Sequence, residues 1–348
     1  GPGGYVAALR AAKLGLKTAI VENRDVGGTC LNRGCIPTKT LLHSAEVARE
    51  AQEAQALGVT AQATVDFAAA HRRKAQVTQQ LREGIEGLFR QQKVDLIRGT
   101  GTILAPGQVE VEGKIYSADK ILIATGSVPA RPPIPGLEHA LTSDELLEHQ
   151  DQVFKSLVII GGGVIGMEFA SLYQMLGCQV TVLEAMDRIL PNMDREVCQN
   201  LSMILKKRGV QIFAGARVEQ VEKSEEGYTV RFTQKGQSAQ VQGEVVLCAI
   251  GRRPNTQGLF GPDFSVEQER GRILVDENFQ TSVPGVYAVG DVSARIQLAH
   301  VASAQGTACV ERLAGRNPLT DLNAVPSCIY TDPEIAKKAQ QIKVGGQA

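Results

Sequence analysis

Two copies of one motif constrain the fold of this chain more than any other feature of its sequence. The complete copy occupies residues 157–184, LVIIGGGVIGMEFASLYQMLGCQVTVLE. A strand predicted at Leu157–Ile160 runs into a glycine-rich turn, a helix follows, and a second strand at Gln179–Leu183 ends at Glu184. A strand, a turn, a helix, a strand and an acid in this order predict a parallel α/β unit that binds a dinucleotide.

The glycines of the turn each have a physical role. Gly161 permits the tight turn, Gly163 lets the backbone approach a pyrophosphate, and Gly166 lets the helix and the strand pack closely. The helix N-terminus offers unpaired N–H groups and a positive dipole to the phosphates. The carboxylate of Glu184 accepts hydrogen bonds from a ribose 2′-OH and repels a 2′-phosphate, so the motif favours NAD over NADP.

The first 22 residues are a second, partial copy of this unit. A shift of 162 positions aligns Gly1 with Gly163, Gly4 with Gly166, Gly15 with Gly177, and Glu22 with Glu184. We expect this copy to lack its first strand and its first glycine. Each copy is followed by a predicted buried strand that ends at a glycine, at Lys120–Gly126 and Glu244–Gly251. Between the copies, apolar spacing predicts helices after Ile36 and over Phe67–Gln91.

Composition and charge exclude several classes of protein. The chain has 37 Lys and Arg residues against 37 Asp and Glu residues, so no net charge favours nucleic acid or an anionic membrane. No apolar run approaches the roughly 20 residues that a spanning helix needs. Residues 1–22 read as folded core, not as a signal peptide, so we expect a cytoplasmic protein, or a mitochondrial matrix protein in a eukaryote. Five scattered histidines predict no metal site.

Two of the seven cysteines stand apart from the others. We predict that Cys178, Cys198, Cys248 and Cys309 are inert packing residues, because their surroundings are apolar or helical. Cys30 and Cys35 lie in GGTCLNRGCIPTK, residues 27–39, where a spacing of five allows a disulfide at a loop-to-helix junction. The helix dipole near Pro37 and the charge of Lys39 favour a thiolate at Cys35. Without a secretory signal, this pair predicts a redox-active disulfide.

The segment from Cys30 to Lys39 resembles the redox-active disulfide of the pyridine nucleotide–disulfide oxidoreductases. The likeness extends over the chain to about Ala336, and CLNRGCIPTK is most similar to the branch that oxidises protein-bound dihydrolipoamide with NAD⁺. The resemblance implies four catalytic residues, which are Cys30, Cys35, Lys39 and Glu168. In this branch the reduced substrate attacks Cys30, Cys35 lies beside a flavin, and Glu168 pairs with Lys39.

The resemblance also implies two cofactors, FAD on the first copy and NAD on the second. The implied FAD contacts are Gly1, Gly4, Glu22, Gly28, Thr29, Lys39, Gly101, Ala124, Thr125, Gly126, Asp291, Gln297, Leu298, Ala299 and His300. The implied NAD contacts are Gly161, Gly163, Val164, Ile165, Gly166, Glu168, Glu184, Val218 and Gly251. Asp291 ends TSVPGVYAVGD, residues 281–291, which is similar to the family's second FAD signature.

The implied fold is α/β, with two doubly wound Rossmann-like domains, the second inserted into the first. We expect an FAD-binding domain at 1–149, an NAD-binding domain at 150–279, and a return to the first domain at 280–325. Residues 326–348 are expected to be a remnant of the family's interface domain, which forms the homodimer and supplies a His–Glu base. The implied partner is a lipoyl domain of a 2-oxo acid dehydrogenase or glycine cleavage complex. We expect little lipoamide turnover without that base.

Other functions within and outside the family stay open. Glutathione, trypanothione and mercuric reductases share the family, but a glutathione reductase is expected to prefer NADP and to carry arginines after its second fingerprint, and Glu184 argues against that. A diaphorase without disulfide chemistry, or a non-catalytic scaffold or redox sensor, are alternatives of a different kind. A scaffold needs neither the two cysteines nor Lys39. A diaphorase would survive Cys→Ser changes at Cys30 and Cys35, whereas disulfide turnover would not.

Overall fold

The computed structural model of the protein describes residues 1–149 and 152–341. The helices in these ranges are α1 (Pro2–Lys13), α2 (Gly28–Arg33), α3 (Cys35–Glu53), α4 (Phe67–Gln92), α5 (Ser143–His149), α6 (Val164–Met175), α7 (Arg195–Lys207) and α8 (Ala299–Leu313). Short 3-10 turns lie at Ala54–Leu57, Leu137–His139 and Gly290–Val292. Among the residues described, no helix has the length and hydropathy needed to cross a bilayer.

The strands belong to several small sheets and one larger sheet. In chain order they are β1 (Ala19–Glu22), β2 (Asp95–Arg98), β3 (Gly101–Ala105), β4 (Gln108–Val111), β5 (Lys114–Ser117), β6 (Ile121–Ile123), β7 (Ser127–Pro129), β8 (Leu141–Thr142), β9 (Ser156–Ile160), β10 (Gln179–Glu184), β11 (Gln211–Ala214), β12 (Ala216–Ser224), β13 (Gly227–Gln234), β14 (Gln237–Gly243), β15 (Val245–Cys248), β16 (Arg252–Pro254), β17 (Gln268–Glu269), β18 (Arg272–Ile273), β19 (Val286–Ala288), β20 (Ala324–Ile329) and β21 (Ile335–Gln341).

The sequence repeat is a structural repeat. Helices α1 and α6 begin and end at positions related by the 162-residue shift. Gly15 and Gly177 lie just beyond these helices with φ of 84° and 86°, a left-handed conformation that glycine adopts without steric cost. Strands β1 and β10 then end at the equivalent acids Glu22 and Glu184. The predicted pair of α/β units is therefore confirmed.

The second unit is built on a five-stranded parallel sheet. Its strand order is β11-β10-β9-β15-β8, and the strands on either side of β9 run parallel to it. Strands β9 and β15 read SLVII and VVLC and are almost continuously buried, as parallel strands covered on both faces require. An antiparallel sheet, β12-β13-β14, packs beside this one.

The sheet of the first unit lies in separate strand pairs. Strand β1 pairs in parallel with β2, and β6 pairs in parallel with β19. In the second unit, β9 lies between β10 and β15 and pairs with both of them. The first unit has no counterpart of β9 among the described residues. The pairing of β6 with β19 brings the chain back to the first unit after the second is complete. The exact domain boundaries stay a prediction.

Helix α3 connects the disulfide segment to both units. It packs against α4 and against α6. Its buried residues Leu41, Leu42 and Ala45 join a core cluster that includes Phe67 and Met167. Because α3 begins at Cys35, this packing holds the second cysteine in place between the two units.

The last described element is a hairpin of β20 and β21, joined by a turn at residues 330–334. This hairpin includes the first part of the region predicted to be an interface-domain remnant, residues 326–348. The end of that predicted region, residues 342–348, lies outside the described residues.

The close packing of α1 on α8 supplies a stability test. A Cβ atom at Gly306 would lie 2.4 Å from the carbonyl oxygen of Gly3, a backbone atom that cannot move aside. We expect Gly306→Ala to lower the free energy of unfolding by about 1–3 kcal/mol through overpacking, measured by urea denaturation. The control is Gly84→Ala on exposed α4, where no atom lies within 4 Å and we expect no loss of stability.

Candidate functional site

The predicted redox pair is a disulfide in the structure. Cys30 and Cys35 are bonded, with their Cα atoms 4.7 Å apart. The sequence predicted a loop leading into a helix, but Cys30 lies in the short helix α2 and Cys35 is the first residue of α3. Gly34 separates the helices, and a Cβ there would lie 3.1 Å from the carbonyl oxygen of Thr29. The absence of that Cβ lets the two helix ends approach closely.

Lys39, on the helix that begins at Cys35, forms an ion pair with Glu168. The Lys39 ammonium donates to both carboxylate oxygens of Glu168, at 2.8 and 2.7 Å. The Glu168 side chain is 7% exposed and that of Lys39 is 30% exposed. Lys39 is one turn beyond Cys35 on α3, and Glu168 is on α6, the first helix of the second unit. A buried carboxylate needs such a partner, because an unpaired charge is costly to desolvate.

One cavity of about 2860 Å³ brings the predicted site residues together. It is lined by both cysteines, by Lys39 and by every other residue named above for FAD. It is also lined by all the residues named for NAD except Gly166. A Cβ at Gly166 would lie 2.0 Å from the carbonyl oxygen of Gly161, so the absence of a side chain at Gly166 lets α6 pack directly against the glycine-rich turn. Both fingerprints and the disulfide therefore share one cavity.

The first fingerprint fits the pyrophosphate end of FAD. A Cβ at Gly28 would lie 2.3 Å from the Cα of Gly1, so the first residue of α2 meets the N-terminal end of α1 backbone to backbone. Helix α1 begins without a side-chain cap and its first residues line the cavity. Uncapped N–H groups at a helix start are donors for phosphate oxygens. Glu22 accepts a hydrogen bond from the N–H of Arg24, at 3.0 Å.

The second fingerprint has the same construction. Gly161 has φ of 110°, and its Cβ would meet the carbonyl oxygen of Ala249 at 2.4 Å. Helix α6 also begins without a side-chain cap, and its first residue Val164 lines the cavity. The buried Glu184 carboxylate accepts N–H groups from Gly162 at 2.5 Å and Met186 at 2.7 Å. These bonds hold the acid in a fixed position in the lining of the cavity.

Sequence reasoning missed a polar network at Asp291. The Ser127 hydroxyl donates to the Asp291 carboxylate at 2.6 Å and accepts from Arg252 Nε at 2.9 Å. Arg252 also pairs with Asp144, at 3.3 Å, and donates to the hydroxyl of Thr29 at 3.5 Å. The network joins the Asp291 end of the cavity to the disulfide helix α2. The only sequence signal was an arginine directly after the glycine that follows β15.

The remaining cysteines divide as their surroundings dictate. Cys178, Cys198, Cys248 and Cys309 are buried, as predicted, and Cys328 is exposed. Burial raises the pKa of the Cys178 thiol to about 12 and that of the Cys309 thiol to about 12. Burial also raises the pKa values of Cys198 and Cys248. Since the thiolate is the nucleophile, these four thiols are unreactive at neutral pH.

The disulfide lies in sequence between two nucleotide fingerprints, and the helix of each fingerprint begins without a side-chain cap. This combination is typical of one class of protein, the flavin-dependent disulfide oxidoreductases. Residues 1–306 match the family model described as pyridine nucleotide-disulphide oxidoreductase, and the chain belongs to this family. The membership confirms the expected cofactors, FAD and NAD.

Individual relatives support the same assignment. The dihydrolipoyl dehydrogenase of Bacillus subtilis is 42% identical over 97% of this chain and 75% of its own length. The structure of LpdA from Mycobacterium tuberculosis superposes with a TM-score of 0.87 at 30% identity, covering 97% of this chain and 76% of that one. The HOCl-induced flavoprotein disulfide reductase RclA of Escherichia coli has a TM-score of 0.84 at 31% identity, covering 97% and 75%.

Thiol counting tests the division of the cysteines. In the folded, oxidised protein at pH 8 we expect one rapidly reacting thiol, Cys328, in a titration with a chromogenic disulfide reagent. Removal of the disulfide by a small dithiol should raise the number to three, because Cys30 and Cys35 are half-buried and line the cavity. In the variant Cys328→Ser, the number of thiols that react with the reagent should be lower by one, both before and after reduction. Rapid reaction of five thiols before reduction would contradict the assignment.

Proposed function

We propose that the protein oxidises protein-bound dihydrolipoamide with NAD⁺ as a dihydrolipoyl dehydrogenase, and that full turnover requires the His–Glu base that the family's interface domain supplies. The observation that carries the proposal is the Cys30–Cys35 disulfide beside the Lys39–Glu168 pair, in the cavity that both fingerprints line. The CLNRGCIPTK segment and the 42% identity to the Bacillus subtilis enzyme favour this substrate within the family.

The proposed chemistry begins as thiol–disulfide exchange. A substrate thiolate attacks the sulfur of Cys30, and the bond to Cys35 breaks, leaving Cys35 as a thiolate. The second substrate thiol then attacks the mixed disulfide, which releases the cyclic disulfide product and leaves Cys30 reduced. Two electrons pass from the substrate to the cysteine pair. FAD, when bound, supplies the redox link between this dithiol and NAD.

The chain's own residues support each part of this reaction. Cys35 starts α3, so the helix dipole stabilises its thiolate, and the Lys39 ammonium lies one turn further along. The α1 N-terminus, Glu22 and Asp291 would hold FAD, with Gly101, residues 124–126 and Gln297–His300 along its path. The α6 N-terminus and Glu184 would hold NAD, with Val218 and Gly251 lining the same side. Glu168 would hold the Lys39 ammonium in place through its two hydrogen bonds.

The proposal extends to partners and location. The electron donor would be a lipoyl domain of a 2-oxo acid dehydrogenase or glycine cleavage complex, and the working form a homodimer. The location would be the cytoplasm, or the mitochondrial matrix in a eukaryote.

A second candidate is a reductase that works in the opposite direction, from NADH to an oxidised disulfide. The structural likeness to the disulfide reductase of Escherichia coli favours it. The two functions differ in the substrate that reacts. Efficient reduction of another disulfide by NADH, together with no reaction with dihydrolipoamide, would decide for this second candidate.

Replacement of one cysteine tests the proposed chemistry. We expect Cys35→Ser to slow reduction of the bound flavin by dihydrolipoamide by about 10³-fold or more, because the exchange has lost its leaving thiolate. Reduction of the same flavin by NADH should persist, since the second fingerprint is unchanged. Both rates are measured by anaerobic stopped-flow absorbance.

The matched control is Cys198→Ser, which removes a thiol outside the disulfide and outside the cavity; the serine hydroxyl can keep the hydrogen bond to the Leu190 carbonyl oxygen, and both rates should be unchanged. If Cys35→Ser reacts with dihydrolipoamide at the rate of the unaltered protein, the chain is a diaphorase and the proposal is wrong.

A further inference from the structure

The turn between β20 and β21 lies beyond residues 1–306, which the family model matches, yet it contacts the Lys39–Glu168 pair. The backbone N–H of Tyr330 donates to the Glu168 carboxylate at 3.1 Å. This bond supplies the buried acid with a donor in addition to the lysine. Burial of a carboxylate is tolerated when its oxygens are satisfied in this way.

The same turn is anchored on α6 one helical turn further along. The backbone N–H of Asp332 donates to the hydroxyl of Ser171 at 2.9 Å. Ser171 and Thr331 are both fully buried, at 0% exposure. Glu168 and Ser171 are three residues apart and therefore lie on one face of the helix. The segment Tyr330–Asp332 is thus fastened to that face at two points.

The Asp332 side chain ties this segment to two further helices. Its carboxylate lies 2.9 Å from the guanidinium of Arg49, on α3, and 2.9 Å from that of Arg208, directly after α7. Arg208 also donates to the Asp332 carbonyl oxygen at 2.7 Å. The carboxylate is 15% exposed, so solvent screens these pairs only in part. One acid therefore joins helices of both nucleotide-binding units.

The aromatic ring of Tyr330 contacts the basic member of the pair. The Lys39 ammonium lies 4.6 Å from the centre of the ring, within cation–π distance. Tyr330 thus touches the acid through its backbone and the lysine through its ring. A shift of this residue would change the surroundings of both charges together.

We propose that Asp332 is a positioning residue, which places Tyr330 against Glu168 and Lys39 and so holds the lysine ammonium beside Cys35. Ser171 is the second anchor of the same arrangement. The inference rests on the proposed function in one respect, the role of Lys39 beside the redox disulfide. The identity of the dithiol substrate does not enter into it.

The test uses the FAD-loaded protein and one equivalent of dithiothreitol under anaerobic conditions. Dithiothreitol is oxidised to its cyclic disulfide and the Cys30–Cys35 bond is reduced. A Cys35 thiolate in contact with the flavin gives an absorbance band at long wavelength. We expect Asp332→Asn to reduce this band about twofold or more, and Ser171→Ala to reduce it in the same direction. The absorbance band of Lys39→Met, which lacks the ammonium, gives the reference value against which the other variants are compared.

The matched control is Glu311→Gln, which breaks an ion pair between α8 and Arg10 of α1, away from Lys39. It should leave the band unchanged, and thermal unfolding of every variant should show a cooperative transition. A purely structural role for Asp332 predicts a lower melting temperature with an unchanged band. If Asp332→Asn does not fold, Ser171→Ala decides the question.

The possible outcomes separate the two proposals. Loss of the band in Lys39→Met, with full retention in Asp332→Asn and Ser171→Ala, would overturn the positioning role and leave the proposed function standing. Retention of the band in Lys39→Met would overturn the role of Lys39 and the inference with it. Equal loss in the Glu311→Gln control would also overturn the inference, because the effect would not be specific to this segment.

Discussion

The ion pair of Lys39 with Glu168 connects the parts of this molecule on which its chemistry depends. Lys39 lies on the helix that begins at Cys35, and Glu168 lies on the helix that begins the second nucleotide fingerprint. The pair is bidentate, and its acid is almost completely buried, so separation of the two helices would expose an uncompensated charge. The disulfide is therefore held at the junction of the two units.

Backbone contacts at glycines build the cavity around that pair. Gly28 meets Gly1, and Gly161 meets Ala249, at distances that no side chain would allow. Both contacts lie beside helix starts without side-chain caps, which leaves N–H groups available for phosphate oxygens. Internal duplication thus provides two similar dinucleotide sites, and the segment between them supplies the disulfide.

The sequence predicted the parts of the structure that depend on local spacing. The fingerprint glycines, the periodic apolar residues of α3 and α4, and the repeat of α1 in α6 all have short-range signals. It did not reveal the contact of Tyr330 with Glu168 or the network from Arg252 to Asp291. Those contacts join residues more than 30 positions apart, whose types alone are equally compatible with exposed surface. The helix at Cys30 was also missed, because six residues bounded by glycines resemble a loop.

Electron transfer through the Cys30–Cys35 pair can be tested by anaerobic titration of the FAD-loaded protein with dihydrolipoamide, followed by visible absorbance. We expect a long-wavelength thiolate-to-flavin band that develops with one equivalent, and its discharge by NAD⁺ with formation of NADH. A flavin that stays oxidised with dihydrolipoamide yet bleaches with NADH would rule out this route, because electrons would then reach the flavin without passing through the Cys30–Cys35 pair.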